Sequence, residues 1–191
     1  MEDFKDRNGK WVCTFKMGGK QTYTCSGTMW TAMKNRCLQG GAAQVKQPAY
    51  LQCVNGFYDF HEFTDWHLNQ VGYGKGWHLE KDILGDGKVY SPTTCVLAPQ
   101  EINNLILTSA SIRGEWPIGV SFDREYDKFS SSCKVYGKCK KIGRYSTPEA
   151  AFEAYKIFKE SHIKAVAAKW QDQIDHRLYG ALMSYEITRE C

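Results

Sequence analysis

The chain has 191 residues, 42% hydrophobic and 14% aromatic, with a formal net charge of +4 at pH 7. That length and composition fit one good core or two small ones and exclude disorder as the main state. The sequence also excludes an eighteen-residue apolar membrane helix, and the N-terminus MEDFKDRNGKW lacks the basic tip and apolar run of a signal peptide.

A cytoplasmic protein with no membrane partner is therefore expected, and in a reducing compartment the eight cysteines read as free thiols or metal ligands. The charge is uneven. Between Ala110 and Lys169, twelve Lys or Arg stand against seven Asp or Glu, while the remainder of the chain is close to neutral.

In chain order, β-formers flank Gly18-Gly19 between Lys10 and Tyr23, which predicts a small hairpin in an N-terminal piece over residues 1–24. Ser26 is read as the cap of a helix, SGTMWTAMKNRC, with Met29, Trp30 and Met33 at helical spacing. After a loop with Gly40, Gly41 and Pro48, YDFHEFTDWHLNQ predicts a second helix whose Phe60, Phe63, Trp66 and Leu68 form a core stripe. The stretch from Trp77 to Asn104 reads as strand, tight loop, strand and short helix, with acids ending the first strand and asparagines on the helix.

Leu107 to Trp116 reads as a linker of small residues, followed by three strands in PIGVSF, DKFSSSCKVY and KCKKIGRY. STPEAAFEAYKIFKE carries strong helix signals: Thr147 as N-cap, Pro148 at the first helical position and Glu149 favoured by the dipole. Near the C-terminus, Ile174, Leu178 and Leu182 are four apart and predict an amphipathic helix.

Period-two alternation in DKFSSSCKVY sends Phe129, Cys133 and Val135 one way and Lys128, Ser130, Ser132, Lys134 and Tyr136 the other. Lys138, Lys140, Lys141 and Arg144 extend the cationic surface on the next strand. A three-stranded sheet of this kind, laid in a groove, takes its register from phosphates and reads base edges between them. The pattern GVSF…KFSSSC…KIGRYSTPEAAFEAY resembles the APETALA2-type DNA-binding domain. The resemblance makes Arg124, Lys128, Ser130, Lys134, Lys140 and Arg144 candidate contacts to double-stranded DNA.

Upstream, SGTMWTAMKNRC, CVNGFYDFHEFTDW, LEKD and YSPTTCVLAPQEINN resemble phage HNH (ββα-metal) endonucleases, homing endonuclease-like proteins that often carry an APETALA2-type domain. Trp30, Met33, Arg36 and Cys37, then Tyr90, Ser91, Pro92 and Cys95, are the specific marks. Cleaving a phosphodiester needs a cation on its oxygens and a group that deprotonates water. The resemblance makes Glu80 the first ligand of a catalytic magnesium or manganese and Asn103 the helical ligand, with Asn104 a near alternative.

Lys81 stands where the family places its histidine base. Between the acids Glu80 and Asp82, Lys81 reads as a cation for phosphate or transition-state charge, or as an ion-pair partner. Asp82, His78 or a metal-bound hydroxide then remain as bases. Cys37, Cys53 and Cys95 each adjoin a family motif and are candidate ligands of a structural zinc, competing with buried free thiols.

The expected fold is α+β. It comprises a ββα-metal nuclease-like unit over 25–107, a three-stranded antiparallel sheet packed on a helix over 117–169, and a C-terminal helix over 170–191. The expected function is a metal-dependent hydrolase that cuts duplex DNA in a host cytoplasm. A DNA-binding protein on an inactive HNH-like scaffold and a phage factor that binds a host protein are the alternatives.

Overall fold

A computed structural model describes residues 2–106 and 115–189, so most of the linker read over Leu107 to Trp116 lies outside the described residues. The fold is mixed α+β, with six α-helices and four small sheets among the described residues. No described helix is long and apolar enough to cross a membrane. The chain divides into two compact units, residues 1–100 with 172–178 and residues 101–171 with 179–191.

The first unit opens with the antiparallel hairpin of β1 (Thr14–Met17) and β2 (Lys20–Tyr23), turned at two positive-φ glycines, Gly18 and Gly19. Helix α1 (Cys25–Cys37) starts two residues earlier than a cap at Ser26 would require. Thr24 is the N-cap, its Oγ1 accepting from Gly27 N at 3.1 Å. Ser26 is fully buried and bonds to Asp3 and His67 instead. Helix α2 (Ala42–Lys46) and a 3₁₀ turn at Pro48–Tyr50 lead to β3 (Val54–Asn55).

Asp59 caps helix α3 (Phe60–Leu68), accepting from Glu62 N at 2.9 Å. Phe63 is fully buried and touches Trp30 and Phe57 at ring-centroid distances of 5.3 and 5.0 Å. The aromatic stripe is thus core packing, joined by Met33, Tyr90 and Leu97. Next, β4 (His78–Glu80) pairs antiparallel with β6 (Val96–Ala98), not with the intervening β5 (Val89–Tyr90), which runs parallel beside β3. The Ser91–Thr94 turn explains the detour: the Thr94 hydroxyl bonds back to Val89 O, and Cys95 N donates to Ser91 O, so the chain bends between β5 and β6. Helix α4 (Gln100–Ile106) follows and belongs from Glu101 onward to the second unit.

In the second unit, β7 (Val120–Asp123), β8 (Lys128–Val135) and β9 (Lys138–Tyr145) form an antiparallel meander. Helix α5 (Pro148–Trp170) begins at Thr147, whose hydroxyl accepts from Ala150 N at 3.2 Å. It extends well past the predicted segment because SHIKAVAAKW contains no glycine or proline to stop it. Helix α6 (His176–Met183) forms the C-terminal helix, with Leu178 and Leu182 fully buried.

Two glycines separate backbone strain from packing. Gly119 and Gly137 share a φ of +78°, but a Cβ on Gly119 would lie 2.1 Å from the buried Tyr155 ring, whereas one on Gly137 meets nothing within 4 Å. Gly137→Ala is expected to cost about 1 kcal/mol and Gly119→Ala about 3 kcal/mol or more, read from thermal unfolding by circular dichroism.

Candidate nucleic-acid interface and acidic strand end

The register of the three-stranded sheet decides which side chains share a face. Ser131 pairs with Gly143 but Ser132 pairs with Lys141, so Ile142 is an extra residue in β9, a β-bulge. Beyond it, the parity of β9 is reversed relative to β8. One face therefore carries Ser121, Asp123, Lys128, Ser130, Ser132, Lys134, Cys139, Lys141 and Arg144. The other carries Phe122, Phe129, Tyr145, Ser131, Cys133 and Lys140.

Helix α5 covers the second of these faces: Cys133 is 4% exposed, and the Lys140 ammonium sits 4.9 Å from the Phe158 ring centroid. Lys140 is therefore displaced from the surface that the sequence pattern gave it, and Lys141 takes its place. Ser130 is only 9% exposed, which makes it a packing residue of the open face. Arg144 donates to Asp123 Oδ2 at 2.9 Å and stacks 3.7 Å over Tyr126, and this hydrogen bond holds Asp123 below the usual carboxylate range. Lys128, Lys134 and Lys141 are exposed and have no carboxylate within ion-pair distance among the described residues. Arg124 is exposed in the turn after β7.

At the end of β4 the charges are internal. Glu80 is 5% exposed, and its Oε1 accepts from Asp82 N at 2.5 Å. Burial pushes its pKa up, with the Asp82 charge adding to that and the Asp82 N–H opposing it. Lys81 is equally buried. Its ammonium donates to Asp82 Oδ1 and to the Gly87 carbonyl, and lies 5.4 Å from the Tyr90 ring centroid. Lys81 thus closes the loop from Asp82 to Lys88 on itself, in the immediate neighbourhood of the acids expected to hold a metal. His78 is exposed and lines a surface hollow with Met29, Arg36 and Trp77. Asn103 is half-buried and Asn104 exposed on α4, in the second unit, whereas Glu80 is in the first. Neither unit by itself holds both expected metal ligands.

No family model, curated protein or solved structure matches the chain.

Among the described residues all cysteines are free, and the sulfurs of Cys37, Cys53 and Cys95 do not gather into one ligand group. Burial pushes the Cys37 thiol up to about 11 and that of Cys95 up to about 12, as expected for core thiols. The His, Cys, Asp or Glu atoms that do converge, within 4.8 Å of one another, belong to Asp3, Cys25 and His67. Sequence spacing gave no sign of this group, since Asp3 and His67 lie on either side of α1.

Its chemistry is that of a closed hydrogen-bond network. Asp3 accepts from Ser26 N at 2.9 Å, from Ser26 Oγ at 2.8 Å and from Tyr73 Oη at 2.8 Å. Burial opposes ionisation of Asp3, but these hydrogen bonds together outweigh it and hold the pKa low. Because the Ser26 hydroxyl donates its hydrogen bond to the Asp3 carboxylate, the neutral His67 tautomer that fits is the one whose Nδ1–H donates to Ser26 Oγ, across 2.7 Å. His67 is 1% exposed, and burial drives its pKa down to about 4.

A histidine that is harder to protonate in the folded state than in the unfolded chain makes stability fall as pH drops from about 6.5 to about 4. That interval is worth at most about 3 kcal/mol. His67→Gln is expected to flatten the stability profile across this window, measured by urea unfolding between pH 4 and 7.

Proposed function

We propose that this protein binds duplex DNA through the open face of β7, β8 and β9. The observation that carries this reading is the bulge at Ile142, which sets Lys141 beside Lys128 and Lys134 on the face that α5 leaves uncovered. Three exposed ammonium groups without carboxylate partners, spread over two neighbouring strands, suit a row of phosphates. Arg144, braced by Asp123 and Tyr126, is suited to a fixed position between them. The likeness of the strand and helix pattern to the APETALA2-type domain supports the same reading.

The test is a gel shift with salt titration. Lys128→Ala, Lys134→Ala and Lys141→Ala are each expected to weaken binding several-fold and to reduce the slope of log K against log salt by about one. Lys140→Ala, on the helix-covered face, is expected to change neither. Equal effects from Lys140 and Lys141 would reject the assignment of faces.

Hydrolysis of the bound DNA is the second reading. It is favoured by the order of an antiparallel strand pair, β4 with β6, followed at once by α4, with Glu80 at the strand end. The Lys81 ammonium, already held by Asp82 and Gly87, weighs against it. Incubating supercoiled DNA with the protein and magnesium or manganese separates the two: a DNA-binding protein without catalysis leaves the DNA intact with and without EDTA. Nicking that Glu80→Ala abolishes would establish the nuclease instead.

A further inference from the structure

The second unit contains a cavity of about 460 Å³ between the tip of the β8–β9 hairpin, α4 and the middle of α5. Its size is that of a site for a small organic ligand. Cys133, Tyr155, Lys159 and His162 form much of its wall, with Tyr136 at the hairpin and Glu101 on α4.

The charges of this wall are not balanced internally. Lys159 is half-buried and has no carboxylate within ion-pair distance among the described residues. His162, one turn further along α5, shares the cavity, and Lys134 lines it as well. The acid present, Glu101, is already engaged: its Oε2 accepts from Lys169 at 2.6 Å and from Trp170 Nε1 at 2.8 Å. Its Oε1 is buried with no direct hydrogen-bond partner among the described residues, and, against the effect of burial, the nearby Tyr136 hydroxyl, after Lys169 and Trp170, helps to hold the carboxyl below its usual range. The wall thus offers the Lys159 and Lys134 ammonium groups, which lack a carboxylate among the described residues, beside the His162 imidazole, which burial and Lys159 hold below its usual range and which can donate a hydrogen bond. A complementary anion would offset the cost of the uncompensated charge.

Apolar complementarity comes from the tyrosines. Tyr155 is 5% exposed, while Tyr136 is 70% exposed and meets His162 edge-to-face at 5.7 Å. Tyr136 holds a φ of +48°, unusual for a bulky residue, at the turn that borders the cavity.

We propose that this cavity binds a small phosphorylated aromatic molecule of mononucleotide size, with its phosphate on Lys159 and His162, its ring beside Tyr136 and Tyr155, and a hydroxyl or amino donor on Glu101. The cavity shares Lys134 with the DNA-binding face at the hairpin, whereas Lys159 and His162 stand on α5 and belong to the cavity alone.

Isothermal titration of the full chain with 5′-AMP, adenosine and inorganic phosphate tests it. Saturable binding of 5′-AMP is expected, with phosphate weaker and adenosine weakest. Lys159→Met keeps the side-chain stem and removes the charge; it is expected to weaken 5′-AMP binding about tenfold or more. His162→Gln is expected to weaken it several-fold, and Lys128→Ala, on the open face, to leave it unchanged. Circular dichroism melts establish that both cavity variants are folded, and their gel shifts with DNA are expected to match the native protein. The proposal is overturned if 5′-AMP gives no saturable heat, if adenosine binds as tightly as 5′-AMP, or if both cavity variants bind 5′-AMP like the native chain.

Discussion

A three-stranded sheet has two faces and a single helix to cover them, and that constraint organises the second unit. Helix α5 takes the face bearing Cys133 and Ser131, both buried. Whatever stands on the other face is given to solvent or to a partner. The residues there are decided by the extra residue at Ile142 as much as by composition, because parity along a strand is two and one added residue inverts everything beyond it. The cationic character of the open face is thus a consequence of register.

In the first unit charge is treated in the opposite way. Glu80 and Lys81 are both about 5% exposed, and each finds its partner within a few residues: the Asp82 amide for the carboxylate, and the Asp82 carboxylate and Gly87 carbonyl for the ammonium. Buried ions are tolerated only when paired and hydrogen-bonded in this manner, and removing one partner leaves the other exposed to the full desolvation cost. The same logic governs the N-terminal segment, where Asp3 reaches Ser26 and Tyr73 and so ties the start of the chain to α1 and to the stretch after α3.

Much of the local architecture was legible in the sequence. Gly18-Gly19 marked the hairpin, Thr147-Pro148 marked the start of α5, and the aromatic stripe of α3 lies in the core as its spacing implied. What could not be read were features set by contacts distant in sequence. Ser26 looks like a cap because capping chemistry is local, yet it is drawn into a buried triad with residues 23 and 41 positions away, and Thr24 caps instead. Lys140 and Lys141 are adjacent and chemically alike, so only pairing with β8 tells which one faces outward. The strand after the loop at Gly87 joins β3, a choice made by the Ser91–Thr94 turn that no periodicity reveals. The cavity beneath the hairpin likewise draws on α4, β8 and α5 at once.

Helix α5 has a mechanical corollary. Its 23 residues rise about 35 Å from Pro148 to Trp170, longer than the eight-residue strands it covers, which span about 27 Å. An uninterrupted helix of that length is a stiff rod, and one residue inserted within it would advance the helical residues after the insertion by about 1.5 Å and turn them through about 100°, carrying their side chains off the sheet face they now cover.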